Sequence, residues 1–213
     1  MQTPSGRATV VRLPERGRYD RQTIDSILDE ALICHLAFET DHGPVAIPTI
    51  HARIGDVLYL HGSHASRMMR TTVGEQVCAT ATIVDGIVVA RSAFHHSLNY
   101  RSAMVFGTPR VVEDAEERSA AFAAITNHVL PGRWDEARRP DEKEDSGTKL
   151  LAIDIDEASA KTRSGPPIDD DEDMALGIWA GVIPLAVMPG QPIPAPDLEA
   201  GVAPPDSVRR FSS

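Results

Sequence analysis

The chain has 213 residues, 42% of them hydrophobic and 24% charged, which suits one globular domain with a sizeable core. Its formal net charge of −10, with 21 basic residues scattered among 31 acidic ones, argues against a nucleic-acid partner, because counterion release needs a concentrated basic surface. No apolar run is long enough to span a bilayer, and the N-terminus has no apolar core of signal-peptide type, so no membrane partner is expected and a cytoplasmic setting is.

Residues 1–19 are polar and basic, with Pro14 and Gly17, and read as an arm lying on the surface or on a partner subunit. From Asp20, the spacing of Ile24, Ile27, Leu28 and Ala31 predicts a short amphipathic helix. The runs CHLAFET, VAIPTIHARI and VLYLHG, separated by DHG and GD, then predict three strands of an antiparallel meander. Pro48, within the second run, cannot donate to a ladder and marks an edge or bulge where backbone groups are free for a ligand. In SHASRMMRTTVGE, Ser63 or Ser66 caps a helix that Met68 and Met69 anchor and that ends near Gly74. VCATATIV and IVVARSAF follow, and the intervening Asp85–Gly86 predicts a tight hairpin. Cys34 and Cys78 each lie in a strand-like apolar segment, where cysteine acts as a small hydrophobe, and no disulfide is expected.

RSAMVFGTPRVV reads as a long strand bent at Gly107 to Pro109. Asp114 then caps a helix, with Glu117 at the capping-box position, Ala121, Phe122, Ile125 and Val129 on its buried face, and Pro131 closing it. Residues 132–147 are charged and irregular, and KLLAIDID is the last clear strand. The segment KTRSGPPIDDDEDMALGIWAGVIPL mixes turn formers, acids and Trp179, and the chain after Pro189 is a Pro-rich tail expected to be disordered. Many hairpin strands with a few helices between them predict a mainly β fold, an antiparallel barrel over residues 20–188 with a tail at 189–213.

The stretch from Pro48 to Arg70 carries the most chemistry. A strand delivers His61, Gly62 and Ser63 into a turn, and the turn opens a helix bearing Ser66 and Arg67. Unpaired N–H groups, hydroxyls and a forked guanidinium make a phosphate cradle, although an ordinary N-cap beside a solvated arginine fits the local pattern equally. No Walker loop and no GxGxxG follows a strand, so phosphate-loop hydrolases and Rossmann dehydrogenases are not supported. His51 and His61 are placed to donate hydrogen bonds to a ligand, the plain alternative being a strand histidine bonded to a carbonyl. His35, His42 and His128 read as structural or exposed. His95 and His96 are adjacent and face opposite ways in a strand, and His61 with His64 lacks a third ligand, so no metal is expected. No GxSxG elbow or cysteine–base pair appears, and no catalytic residue is assigned.

Three blocks, IPTIHARIGDVLYLHGSHASRMMR, NYRSAMVFGTPRVVED and SAKTRSGPPIDDDEDMALGIWAGVIPL, together resemble the pyridoxamine 5'-phosphate oxidase-related flavin-binding proteins, including their nitroimidazole-resistance branch, from about Arg18 to Leu185. The resemblance implies a split β-barrel that forms a homodimer with two FMN molecules at the subunit interface. It implies that the flavin ring lies along Ile47, Pro48, Thr49, Ile50 and His51, and that His61, Gly62, Ser63, Ser66 and Arg67 hold the phosphate. Tyr100, Arg101 and Ser102 would approach the cofactor, from either subunit, and Lys161, Arg163 and Trp179 would close the site. The arginine-rich C-terminal motif of true pyridoxamine 5'-phosphate oxidases is replaced by IWAGVIPL, so vitamin B6 oxidation is not expected, and FAD or a deazaflavin stays open beside FMN. The implied function is that of a flavin-dependent oxidoreductase acting on a small molecule. The alternatives are a non-catalytic flavin carrier or sensor, and a haem-binding split barrel with an axial ligand such as His61 or His95.

Overall fold

The computed structural model of the protein describes residues 6–212. Period-two alternation builds most of it. Strand β2 (Ile33–Phe38) buries Cys34, Leu36 and Phe38 on one face, and β5 (Val77–Val89) buries Val77, Ala79 and Ala81. With β1 (Gly17–Arg18), β3 (Val45–Ile54), β4 (Val57–Ser63), β6 (Ser97–Gly107), β7 (Arg110–Val111), β8 (Thr148–Asp154) and β9 (Glu157–Arg163), they form one antiparallel sheet in the order β1-β9-β6-β5-β2-β3-β4-β8-β7. A short β10 (Gly181–Pro184) adds to β5. The sheet curls into a split barrel whose seam brings β6 against β8 without a ladder. A Cβ at Gly107 would lie 2.6 Å from Ile153 Cγ2, so only glycine permits that approach.

Helix α1 (Arg21–Glu30) starts at Asp20, whose carboxylate accepts from the Thr23 N–H at 2.8 Å, and drives Ile24, Ile27 and Leu28 into the barrel. Outside the barrel, α3 (Ala115–Val129) lays Ala121 and Ile125 against Ala52, Tyr59, Leu150 and Ala152, which make a second core. Strand β8 serves both cores, with Leu151 and Ile153 facing the barrel and Leu150 and Ala152 facing α3. Cys34 is buried, Cys78 is half-buried, and both are free thiols. Among the described residues, no helix is long and apolar enough to cross a membrane.

Several sequence expectations change. Asp85–Gly86 is not a hairpin turn: β5 runs through it as one strand, with a bulge between Val84 and Gly86. The reason is crowding from both sides. β6 pairs along nearly the whole of β5, while β10 takes Gly86 to Val89, where a Cβ on Gly86 would meet the Ile183 carbonyl at 3.0 Å. Glu117 does not close a capping box, because its carboxylate accepts from the Tyr59 hydroxyl at 2.8 Å and pairs with Arg110 at 2.6 Å. A complete capping box occurs instead at Asp141 and Glu144, starting α5 (Glu142–Gly147) in the stretch read as irregular. Val129 is exposed, and β9 went unread because EASAKTR carries little of the usual strand signal.

Of the arm expected over residues 1–19, residues 1–5 lie outside the described range. The rest packs on its own chain, through β1 beside β9, Arg7 paired to Glu157 at 2.6 Å, and the Val10 N–H donated to the Tyr19 hydroxyl at 2.8 Å. The tail expected to be disordered ends in α6 (Asp206–Phe211), which docks on α4 (Arg133–Glu136); the buried Ser207 donates its N–H to Glu136 at 3.1 Å.

Two histidines hold the C-terminal turn of α1. His51 Nε2 donates to the Leu28 carbonyl at 2.8 Å and His128 Nε2 to the Ala31 carbonyl at 2.9 Å, with ring centroids 4.8 Å apart. Helix α1 has no basic side chain in its last turn, so these N–H groups satisfy carbonyls the helix leaves open. Full burial pushes the His51 pKa down to about 4. The folded chain therefore refuses a proton that the unfolded chain accepts below its ordinary pKa of about 6.5, and stability falls as pH drops through that window. Urea denaturation should show a loss of about 3 kcal/mol from this group between pH 7 and pH 4. His51→Gln, which keeps a donor for Leu28 and does not titrate, should lose less over the same interval.

Candidate functional site

Strands β3 and β4 pair from Ile54↔Val57 to His51↔Leu60 and then part company. β3 continues beside β2 as far as Val45, and β4 continues beside β8 as far as Ser63. Val45 to Ile50 thus carry a ladder on one edge only, and the other edge faces an opening flanked by His61, Gly62 and Ser63. Pro48, exposed and opposite His35, fits a strand with one satisfied edge. Backbone N–H and C=O groups on the open edge are obligatory hydrogen-bonding groups awaiting a partner. Ile47, Thr49 and Ile50 are half-exposed beside them.

Across the opening, β4 turns into α2 (Arg67–Thr71). A Cβ on Gly62 would lie 3.0 Å from the Met69 side chain that α2 tucks beneath it, a tight contact that this position avoids. The Ser63 carbonyl accepts from the Ser66 N–H at 2.9 Å, and Ser66 is the N-cap with no side-chain cap bond. Lys149 Nζ donates to the Met69 carbonyl at 3.1 Å and anchors α2 from β8. With only five residues, α2 contributes a small dipole, so anion binding here rests on backbone N–H groups, hydroxyls and Arg67. Arg67 is exposed, and among the described residues its side chain, like that of Arg70 in the same helix, has no hydrogen bond or ion pair, whereas Arg53, Arg101, Arg110 and Arg138 are all paired to carboxylates. His61 is half-buried, its Nδ1 is buried without a partner, and burial lowers its pKa, which keeps the imidazole neutral at pH 7.

The ladders thus leave Ile47 to Ile50 on the free edge of β3, where β4 diverges at His61 to Ser63 and continues into the turn that carries Ser66 and Arg67. The other expected site residues stand elsewhere in the chain. His51 turns its ring into the core, where Leu28 and His128 occupy it, so its side chain does not face the opening. Tyr100, Arg101 and Ser102 lie on β6, with β5 and β2 between them and β3. Arg101 clasps Glu30 and Asp85, with Nη2 2.7 Å from each carboxylate, and these partners, Glu30 first, raise its pKa. The Ser102 hydroxyl bonds the Ala81 carbonyl at 3.1 Å, and Lys161 Nζ donates to the Arg12 carbonyl at 2.9 Å. Trp179 is 65% exposed on its own chain, with its ring against Gly181. No apolar layer of its own subunit covers that segment.

Sequence reading also missed two long-range contacts. Asp169 accepts from the Arg91 backbone N–H at 2.9 Å and guanidinium at 2.8 Å, and its side chain is 1% exposed, although it belongs to an acidic run that reads as solvated. His95, Asp170 and Asp173 bring ligand-type atoms within 4.8 Å of one another at the surface, where spacing gave His95 no such neighbours. Both contacts join residues more than seventy positions apart, beyond any local pattern.

Arg163 is 8% exposed and donates to Asn99 Oδ1, the Gly165 carbonyl at 3.2 Å and the Pro166 carbonyl at 3.0 Å. Burial, and secondarily the Arg16 charge, hold its pKa below the ordinary guanidinium value. Its visible work is to pin the chain leaving β9. Arg163→Ala should lower the stability of the ligand-free protein by about 2 kcal/mol, the scale of unpaired buried polar groups. An unchanged urea midpoint would assign Arg163 to ligand binding alone.

Comparison with known proteins places this geometry. A family model described as pyridoxamine 5'-phosphate oxidase matches residues 20–162. No curated protein matches the chain. Among solved structures, the flavocytochrome Anf3 from Azotobacter vinelandii is 34% identical, covers 99% of each chain and superposes with a TM-score of 0.92. An FAD and haem binding protein from Mycobacterium smegmatis is 41% identical over 92% of this chain and 97% of its own, with a TM-score of 0.87. A putative 5-nitroimidazole antibiotic resistance protein from Bacteroides thetaiotaomicron, 23% identical over 68% of this chain and 85% of its own, shares the fold at a TM-score of 0.56.

Proposed function

The chain belongs to the pyridoxamine 5'-phosphate oxidase family, and from that premise we propose that it is a flavin-binding oxidoreductase whose cofactor lies in the opening between β3 and β4. The observation that carries this reading is the parting of the two strands beyond His51↔Leu60 beside an arginine without a partner. The residues present fit a flavin. The free edge of β3 at Ile47 to Ile50 offers backbone groups to the polar edge of the ring system, and Ser63, Ser66 and Arg67 offer hydroxyls and a guanidinium to its phosphate. Bound flavin supplies the electron-transfer chemistry, while the protein orients it and shapes the space above it. His61, neutral and half-buried at the rim, is the nearest side chain able to hold a proton or a lone pair toward a ligand.

The relative named for FAD moves the expected flavin from FMN to FAD, and the phosphate turn serves either, since both carry a phosphate at the same end of the ribityl chain. A second reading, favoured by the two relatives of 34% and 41% identity, adds a haem. His61 suits an axial ligand better than His95, whose Nε2 lies 3.1 Å from Asp170. The substrate is a small molecule. Vitamin B6 is disfavoured because IWAGVIPL stands where true pyridoxamine 5'-phosphate oxidases carry their arginine-rich motif. Tyr100, Arg101, Ser102, Lys161 and Trp179 lie away from the opening of their own chain, which supports a homodimer in which two copies complete each site. The free thiols Cys34 and Cys78 suit a reducing cytoplasmic compartment.

The absorbance spectrum of the purified protein tests the reading. Flavin bands, or their appearance on adding FAD or FMN, are expected, and a protein that takes up neither flavin would sink it. Rapid anaerobic reduction by a nicotinamide separates an oxidoreductase from a passive flavin carrier. Arg67→Ala should weaken flavin binding by about 1.5–3 kcal/mol in a fluorescence titration, the scale of a lost charge-assisted hydrogen bond. If a Soret band accompanies the flavin, His61→Ala should remove or shift it and His95→Ala should not.

A further inference from the structure

Helix α3 buries Ala121 and Ile125 in the second core, and one face round from them it borders a cavity of about 410 Å³. That volume falls within the range of about 300–1,000 Å³ that small-molecule sites occupy. The walls are Arg118, Ser119 and Phe122 of α3, Trp134 of α4, Arg139 just beyond α4, and Asp145 of α5. None of the residues at the opening between β3 and β4 lines it.

Contacts across the chain hold these walls in place. Arg118 is largely buried and donates to the Val112 carbonyl at 3.1 Å, the Thr148 carbonyl at 3.0 Å and the Asp145 carboxylate at 2.8 Å. It ties α5 to α3, and the Asp145 charge is spent on it. The Trp134 backbone N–H donates to Asn127 Oδ1 at 3.0 Å and fixes α4 against the end of α3. Phe122 packs on the second core as well as lining the cavity. The concavity is assembled before any ligand enters it, so little ordering is left for a ligand to drive.

The lining selects the ligand. Arg139 lies with its Cζ 4.1 Å from the centroid of the Trp134 ring, and it donates to the Trp134 carbonyl and to Asp135 at 3.1 Å. These bonds use two of the five N–H groups of a guanidinium. The Asp135 pair, with side chains 49% and 80% exposed, is of the weak surface kind and easily exchanged. The Ser119 hydroxyl has no hydrogen bond among the described residues. With Asp145 neutralised by Arg118, Arg139 is the wall cation with donors to spare, and its planar fork matches a carboxylate. The Phe122 and Trp134 rings match an aromatic ring. We propose that this cavity binds a small aromatic carboxylate of one or two rings, the ring against Phe122 and Trp134 and the carboxylate on Arg139 and Ser119. An aromatic cation is rejected by the same guanidinium. The site stands independently of the flavin reading, since the two share no residue.

The test uses the full-length protein with the cofactor it carries when purified. Indole-3-acetate is the probe and tryptamine its cationic counterpart. Binding is followed by calorimetry and by the indole N–H resonances of the two tryptophans in isotope-labelled protein, which Trp179→Phe assigns. Indole-3-acetate should bind saturably with a Kd of about 1 mM or tighter, and tryptamine about tenfold or more weakly. The Trp134 resonance should move and that of Trp179 should not. Arg139→Gln, at an exposed position, should weaken indole-3-acetate about tenfold, the scale of a lost charge-assisted hydrogen bond. Saturating FAD should leave the affinity unchanged. The proposal is overturned by the absence of saturable binding up to about 10 mM, by a shift of the Trp179 resonance alone, or by displacement with FAD. Binding that Arg139→Gln leaves within about twofold overturns it equally. The resonance measurement needs no change in the cavity wall, so it decides the question even where Arg139→Gln fails to fold.

Discussion

A strand has two edges, and much of this molecule follows from the one β4 gives up. Up to Leu60 it is paired on both sides; from His61 it keeps β8 and leaves β3. The cost is a set of backbone groups on β3 without a ladder, which a monomeric barrel would ordinarily avoid. The return is a strand edge whose backbone donors and acceptors stand open before any ligand arrives.

Around the opening, the charged groups are settled within the chain. Arg101 binds Glu30 and Asp85, Arg118 binds Asp145, Arg53 binds Asp29, and Arg110 binds Glu117. Most of these pairs are part-exposed and contribute modestly to stability. They fix α1, α3 and the β5 bulge to the sheet, and they leave little free positive charge on an acidic protein. In that setting Arg67 and Arg70, both exposed on α2 and without a carboxylate partner among the described residues, are the cations beside the turn that an anion can find.

The barrel was legible because its strands alternate: Cys34, Leu36 and Phe38, or Val77, Ala79 and Ala81, announce a buried face without any long-range information. The helix cap at Asp114 was equally local. What escaped shares its chemistry with something commoner. Asp–Gly serves a bulge as readily as a hairpin, and whether β10 arrives to crowd Gly86 is decided a hundred residues away. The same holds at the site. The phosphate turn is contiguous in sequence and could be read there, but the fate of Arg101, His51 and Arg163 depended on Glu30, Leu28 and Asn99, which no spacing rule connects to them. Residue types were informative at these positions; roles were not.

The double duty of β8 reaches further than packing. One strand supplies alternate side chains to the barrel interior and to the layer under α3, so neither layer can loosen without stripping a wall from the other. Two cores that share a wall melt as one unit. The helical layer is consequently not a decoration on a ligand-binding barrel but part of its folding cooperativity, and heat or mutation applied beneath α3 is felt at the opening through β8, the strand that β4 kept.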